Sequence, residues 1–267
     1  MSEFLASRWP DILFRAWQHG WLVLQALAIA TVLAIALAVI ATRIKALTPI
    51  ANAFTAVGLT LPSFALIGVL IPLVGIGTVP AVVVVVFYAL LPILRNALVG
   101  LRGVDPDVLE AARGMGMGPV ALFTRVRLPL AWPVILTGIR VAGQLGMGVA
   151  AVAAYVLGPG LGSYIFTGLV SLGGANALNY ALVGTLGIVV VALLLDGLLV
   201  LLGRLTISKG LRARAPTVTP GPRSVSSPSR SAIRGRTVPP WTPWTSSSPR
   251  GRRWCSSARP AAARPPL

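Results

Sequence analysis

The chain has 267 residues, of which 55% are hydrophobic and only 11% are charged. This composition excludes an ordinary soluble domain and indicates a protein embedded in a membrane. The net charge of +17 is unevenly distributed, because residues 1–203 carry ten basic and six acidic side chains, whereas residues 204–267 carry thirteen basic and no acidic ones. Since the basic excess lies outside the apolar body, we expect no nucleic-acid partner. The one cysteine, Cys255, excludes an internal disulfide.

A membrane-spanning helix needs about 20 mostly apolar residues, and five segments of the chain meet that demand. Their predicted bounds are 20–41, 50–74, 79–99, 132–157 and 181–202. The β-branched run 82–86 is also assigned to a helix, because a lone strand in lipid would leave its backbone groups unpaired. Residues 164–172 are too short to cross and are interpreted as a re-entrant or interfacial piece. The predicted fold class is therefore an all-α integral membrane protein with about five transmembrane helices.

Lysine and arginine concentrate on the cytoplasmic side of membrane proteins. Here they follow the first span, occupy the segment between the third and fourth spans, and follow the fifth span, whereas residues 75–78 and 158–180 carry no charge. This alternation predicts an outer N-terminal segment, 1–18, and a transmembrane domain, 19–210, with the N-terminus outside. It also predicts a cytoplasmic loop, 100–131, and a cytoplasmic C-terminus.

The composition changes in residues 211–267, which are rich in proline, serine and arginine and hold no acidic side chain. Such a segment cannot bury a core, so we predict a disordered basic tail. Its arginines would attract the head groups of anionic membrane lipids. The alternative hypothesis is that the tail is the frameshifted reading of a GC-rich gene.

One polar segment separates two of the apolar runs: residues 110–129, EAARGMGMGPVALFTRVRLP. Asp105 and Pro106 lie just before it and indicate a helix start, with Asp105 as N-cap and Pro106 at the first position, where its missing N–H costs nothing. We predict a short helix over 108–113, a break at the following glycines, and a second short helix over 120–126. A loop of this kind in an apolar chain is suited to contact a soluble partner.

The Gly-Met-Gly-Met-Gly run in this loop does not indicate a phosphate-binding loop, because the Lys-Ser/Thr pair and a surrounding βαβ unit are absent from the sequence. We find no catalytic constellation in the sequence and predict no enzymatic activity, no cofactor and no metal site. We therefore predict that this chain binds no nucleotide through that run.

Few polar side chains lie in or near the predicted spans. Gln144, Asn176 and Asn179 either face a translocation path or bridge neighbouring helices, and both interpretations stay open. Asp196 is the one acid inside a predicted span. A structural role is favoured for it over a functional one, with its carboxylate close enough to the cytoplasmic end to reach Arg204 or water.

His19 is the only histidine and is interpreted as an interfacial residue beside Trp17 and Trp21. The fourth span carries small residues four positions apart, which lets helices approach closely, either within the chain or at a subunit interface. These residues are Gly138, Ala142 and Gly146.

The order of residues in the polar loop resembles the EAA loop of ABC-importer permeases, which reads Glu-Ala-Ala, three residues, Gly, nine residues, Ile-x-Leu-Pro. Valine replaces the isoleucine at position 126, and the matching positions are Glu110, Ala111, Ala112, Gly116, Val126, Leu128 and Pro129. Further segments are similar to the branch of these permeases that imports osmoprotectants: 61–66, 71–77, 91–96, 103–106 and 158–165. The resemblance implies the type I ABC-importer permease (MetI-like) fold.

In that family the loop forms a short helix that docks into a groove of the ATPase subunit. The resemblance therefore implies two ABC ATPase subunits, a second permease copy or a sister permease, and an extracytoplasmic solute-binding protein, in a bacterial cytoplasmic membrane. It implies import of glycine betaine, choline or a related quaternary amine by alternating access. The alternatives are a permease for another small polar solute, an ion-coupled secondary carrier and a membrane scaffold.

Overall fold

The computed structural model describes residues 2–44 and 46–206. The described residues form helices joined by short turns, which confirms the all-α prediction. The elements are α1 Ser2–Arg43, α2 Leu47–Gly58, α3 Ser63–Val74, α4 Thr78–Arg102, α5 Pro106–Gly114, α6 Pro119–Leu122, a π-helical segment Phe123–Arg127, α7 Leu128–Ala153, a 3-10 turn Ala154–Val156, α8 Gly162–Val170 and α9 Ala177–Thr206. The tail predicted to be disordered, 211–267, lies outside the described residues.

Within the described part of the chain, four helical stretches are long and apolar enough to cross a membrane. They are α1, α4, the continuous stretch Pro119–Val156 and α9. These stretches contain the first, third, fourth and fifth predicted spans. The α2–α3 pair adds a fifth crossing if the two helices together count as one span.

Helix α1 is longer than a membrane crossing requires. Its 42 residues would extend about 63 Å at 1.5 Å per residue, roughly twice the apolar thickness of a bilayer. The helix begins at Ser2, so the residues predicted as an outer segment form a helical extension of the first span. Within this extension, Asp11 and Arg15 lie one turn apart and form an ion pair at 3.1 Å.

The second predicted span is divided into α2 and α3, whose axes differ by 99°. Pro62 has extended backbone (φ −69°, ψ 130°) just before α3 begins, and a proline has no N–H with which to continue the preceding helix. The carbonyl oxygen of Leu61 accepts a hydrogen bond from the hydroxyl of Tyr88 on α4, which holds the bend. Pro72 and Pro92 lie inside α3 and α4 without dividing them.

The core forms where α4 packs between α1 and α7. Helix α1 contributes alanines spaced four apart and fully buried: Ala26, Ala30, Ala34 and Ala38. On α7, a Cβ added at Gly138 would lie 2.7 Å from the Asn96 Cβ and 3.0 Å from the Pro92 carbonyl oxygen. The small residues of the fourth span therefore serve close packing within the chain.

Helix α8 lies between α7 and α9 in the sequence and has nine residues. At 1.5 Å per residue it extends about 13 Å, which is too short to cross. It packs against α9, and a Cβ at Gly168 would lie 2.8 Å from the Ala177 carbonyl oxygen. The segment predicted to be too short for a sixth span is thus a short helix seated on the last one.

Candidate functional site

The polar loop begins with the helix start predicted from the sequence. The Asp105 side chain accepts a hydrogen bond from the Asp107 backbone N–H at 2.9 Å, and Pro106 occupies the first turn of α5. Asp107 lies near the positive end of the helix dipole and Arg113 near the negative end. A nine-residue helix that is too short to be stable by itself therefore has favourable groups at both ends.

The outer surface of α5 and the turn after it present side chains to solvent. Glu110 and Ala111 are exposed, whereas Ala112 is buried against the loop. Two large apolar side chains, Met115 and Val120, are 72% and 73% exposed. A carboxylate flanked by small and exposed apolar side chains is a surface suited to close contact with a partner.

The turn between α5 and α6 requires a glycine. Gly116 has φ +81°, a left-handed conformation that other residues rarely adopt, and nothing lies within 4 Å of a Cβ placed there. The Met117 backbone N–H reverses the chain by donating to the Ala112 carbonyl oxygen at 3.2 Å. The glycine of the EAA pattern therefore has a backbone role, and its surface stays open.

The second half of the loop differs from the prediction, because it does not form a separate short helix before the fourth span. Pro119–Val156 is one continuous helical stretch of 38 residues. Pro129 cannot donate a backbone hydrogen bond, and the helix adapts by a π-helical turn just before it, in which the Leu128 N–H bonds to the Phe123 carbonyl oxygen five residues back. Val126, Leu128 and Pro129 thus lie in the helix that leads from the loop into the membrane.

Two arginines attach the loop to the ends of the membrane helices. Arg127 Nε donates to the Leu101 carbonyl oxygen on α4 at 3.0 Å. Arg102, on the last turn of α4, donates to the Thr48 hydroxyl on α2, and Thr48 donates in turn to the Ala41 carbonyl oxygen on α1 at 2.8 Å. These bonds connect α1, α2, α4 and the start of α7 at the end of the helices from which the loop extends.

The three residues proposed for a translocation path lie in two places. Asn176 and Asn179 are joined at the start of α9, where the Asn179 Nδ2 donates to the Asn176 Oδ1 at 3.0 Å. Gln144 lies on α7, on an exposed face that also carries Thr137. The sequence analysis did not assign a charged residue to this exposed face of α7.

A charged pair inside the membrane was missed by the sequence analysis. Arg140 donates through Nε and Nη2 to the two carboxylate oxygens of Asp196, each at 2.9 Å, and joins α7 to α9. The sequence analysis expected Asp196 to reach Arg204 or water, whereas the structure pairs it with an arginine on another helix. The available signal was an acid in one predicted span and arginines in two others, Arg95 and Arg140, because charges in lipid tend to pair.

His19 does not lie at the lipid interface. Its side chain is fully buried, and Nε2 lies 3.2 Å from the Met147 carbonyl oxygen on α7. Trp17 and Trp21, in contrast, are exposed and stack on each other with ring centroids 5.8 Å apart. The reason is helical geometry, because positions two residues apart differ by about 200° around the axis.

A polar cluster ties the helical extension of α1 to α8. Arg15 Nη1 donates to the Ser163 hydroxyl at 2.8 Å, and the Tyr164 hydroxyl donates to the Asp11 carboxylate at 2.6 Å. Burial, followed by the hydrogen bond and the charge of Asp11, raises the pKa of Tyr164 to about 12. Tyr164 therefore remains a proton donor throughout the physiological pH range.

Long apolar helices, with the capped polar loop between two of them, define a multi-pass α-helical membrane protein. The model of the family described as "Binding-protein-dependent transport system inner membrane component" matches residues 30–208. The chain belongs to this family of importer permeases, whose members work in the inner membrane.

Relatives of known role span most of the chain. The choline transport system permease protein OpuBB of Bacillus subtilis is 36% identical over 215 residues, which cover 79% of this chain and 95% of the relative. The osmoprotectant import permease protein OsmW of Salmonella typhimurium is 39% identical over 201 residues, which cover 73% and 91%. Both relatives are transport permeases rather than enzymes.

Among solved structures, an inward-facing form of the MetNI methionine ABC transporter superposes with a TM-score of 0.59 at 22% sequence identity. The superposition covers 80% of this chain and 99% of the other. At this identity the likeness shows the fold, which is the type I importer permease fold predicted from the sequence.

Proposed function

We propose that this chain is the membrane permease of an ATP-driven importer whose solute is an osmoprotectant such as glycine betaine, choline or a related quaternary amine. The observation that carries the proposal is the similarity, over about three quarters of the chain, to permeases named for choline and osmoprotectants. The EAA pattern on an exposed, capped hairpin supports it independently of those names.

The surface formed by Glu110, Ala111, Met115, Gly116 and Val120 is the proposed docking surface for an ATPase subunit. Its small residues allow close approach, and its exposed apolar side chains would be buried on contact. We infer one ATPase for each permease, so a complex of two permeases, either two copies or two sister chains, would hold two ATPases. A solute-binding protein would deliver solute from the outer side.

The distribution of basic residues supports an orientation with the N-terminus outside and the hairpin and C-terminus in the cytoplasm. This places the docking surface on the side where ATP is found. When the ATPases close, they would displace α5 and α6, and the continuous helix Pro119–Val156 would carry the displacement into the membrane. Alternating access follows if this helix tilts between two packings.

Gln144, Asn176 and Asn179 are proposed to border the solute path, because each is polar and lies on a face or turn that the chain does not bury completely. An ion-coupled carrier is disfavoured. Asp196 is the one acid inside the spans predicted from the sequence. Its carboxylate accepts from Nε and Nη2 of Arg140, so it is poorly placed to bind and release a coupling ion.

The test is reconstitution of the affinity-purified complex into liposomes. We expect an ATPase and a solute-binding protein to copurify from native membranes in mild detergent. We also expect ATP inside the liposomes to drive uptake of radiolabelled glycine betaine or choline without an ion gradient. Folded chain that recovers no ATPase, or uptake that follows an ion gradient and ignores ATP, would refute the proposal.

A further inference from the structure

The Arg140–Asp196 pair lies within the apolar length of both α7 and α9. Arg140 is twelve residues after the start of α7 and thirteen before its end, which corresponds to about 18 Å and 20 Å of helix. Asp196 is ten residues before the end of α9, or about 15 Å. Because Arg140 and Asp196 lie inside the predicted spans 132–157 and 181–202, we place both charges within the apolar layer, which is about 30 Å thick.

The pair is not enclosed by the chain that holds it. The Arg140 and Asp196 side chains are 40% and 27% exposed. Charged side chains within membrane helices almost always face a bundle interior or a water-filled cavity, because contact with lipid is costly. The face of α7 and α9 that carries the pair is therefore turned away from lipid in the assembled protein.

That face carries a stripe of polar side chains and an open groove. Thr137, Arg140 and Gln144 follow each other at intervals of three and four residues and form a polar stripe along α7. An open groove of about 360 Å³ lies beside the pair, between α7 and the last turns of α9. Its polar lining residues are Thr137, Arg140 and Arg204, and the rest of the lining is apolar, with Pro133, Leu136, Leu199 and Val200. One turn beyond Gln144, nothing lies within 4 Å of a Cβ placed at Gly148, so this face of α7 stays uncovered beyond the stripe.

We propose that this face borders the solute path and that the pair binds a zwitterionic solute, with Arg140 contacting its carboxylate and Asp196 its cationic group. The inference deepens the proposed function and rests on it. A guanidinium offers two parallel donors that match a carboxylate. A solute carrying both charges can exchange partners with the pair without leaving either protein charge unpaired, and this makes the exchange reversible.

The first experiment measures whether water reaches the stripe. Thr137→Cys and Gln144→Cys are made in a Cys255→Ser background, which removes the one native cysteine, and each is assembled with the ATPases in liposomes. We expect a charged, membrane-impermeant thiol reagent to label both, and glycine betaine to slow the labelling. The control is Leu194→Cys, which is two residues from Asp196, on another face of α9, and 69% exposed; it should stay unlabelled because it faces lipid.

The second experiment separates solute binding from a purely structural pair. Arg140→Gln is expected to raise the KM for glycine betaine about tenfold or more, as loss of a charge-assisted hydrogen bond does, and to raise the KM for choline, which has no carboxylate, much less. Arg140→Asp combined with Asp196→Arg restores an ion pair with reversed polarity. We expect this double variant to recover the yield of assembled complex while betaine uptake stays low.

Wild-type uptake by the double variant would overturn the proposal, since a pair needed only for folding tolerates reversal. Absence of labelling at both stripe cysteines would overturn it as well. Because cysteine labelling does not require transport, it tests water access to the stripe separately from the identity of the transported solute. Labelled cysteines in a complex that imports no quaternary amine would refute the proposed solute and, with it, zwitterion binding by the pair.

Discussion

Glu110 is the residue on which the proposed contact with an ATPase depends most directly. It is exposed on α5, and among the described residues no ion pair involves it. We expect Glu110→Lys to remove copurified ATPase and abolish ATP-driven uptake while the chain still inserts, because the reversed charge would oppose a surface that accommodates a carboxylate. Copurification in mild detergent and uptake in liposomes measure the two effects.

The matched control for this substitution is Glu3→Lys, which reverses the charge of another exposed acidic side chain, near the N-terminus. It should leave ATPase recovery and uptake near the unsubstituted values. If Glu110→Lys retains full ATPase recovery and full uptake, Glu110 takes no part in coupling and the docking surface must be placed elsewhere on the loop.

Asp105 affects the proposed contact with the ATPase indirectly, because it stabilises the start of α5. Asp105→Ala removes the acceptor of the Asp107 N–H and should cost about 1 kcal/mol of helix stability, or about a fivefold rise in the open population of α5. We expect faster hydrogen exchange at amides 107–110 and a partial loss of uptake. Asp105→Asn keeps the acceptor and should restore both; equal loss in the two variants would contradict a capping role.

At the scale of the elements, close packing of α4 against α7 depends on Gly138. A methyl group at this position would lie 2.7 Å from the Asn96 Cβ and 3.0 Å from a backbone oxygen of α4. Gly138→Ala should therefore force the helices apart and cost about 1–3 kcal/mol. A lower midpoint of thermal unfolding in detergent would show it.

The control is Gly68→Ala on α3, where nothing lies within 4 Å of the added methyl group. Alanine is the better helix former, so this variant should unfold at an equal or higher temperature. A Gly138→Ala midpoint as high as that of Gly68→Ala would mean that the two helices approach less closely than the structure shows.

The continuous helix Pro119–Val156 determines how the loop is connected to the membrane helices. A flexible connection before the fourth span would let α5 and α6 move alone, whereas the π-helical turn keeps the helix continuous past Pro129. The hydrogen bond from Arg127 to the end of α4 adds a second connection. In the proposed mechanism, we therefore expect a force on the loop to move at least two membrane helices together.

At the scale of the whole molecule, the family match ends at residue 208, close to the point where the predicted basic tail begins. We expect a chain truncated after Arg214 to insert, copurify with ATPase and transport as the full chain does, because the elements of the proposed function precede that point. Uptake in liposomes compares the two chains. Loss of uptake by a truncated chain that still assembles would show that residues 215–267 are needed for transport.

Much of the architecture follows from the sequence, because its causes are local. The length of the apolar runs predicts four of the long helical stretches to within a few residues, except that α1 begins earlier and that the fourth span is continuous with the loop before it. Asp105 and Pro106 predict the start of α5 correctly, since capping involves residues two or three positions apart. The EAA pattern indicates the family, which the matches confirm.

What only the tertiary structure decided depends on which faces of distant helices meet. Pro62 marks a sharp bend, where the Tyr88 hydroxyl on α4 donates to the Leu61 carbonyl oxygen, while Pro72 and Pro92 lie inside continuous helices. His19 is buried, although tryptophans two positions away on either side are exposed. The Arg140–Asp196 bond joins residues 56 positions apart. The sequence places charges in separate spans but does not say which of them meet, since the pairing arises from the packing of α7 on α9.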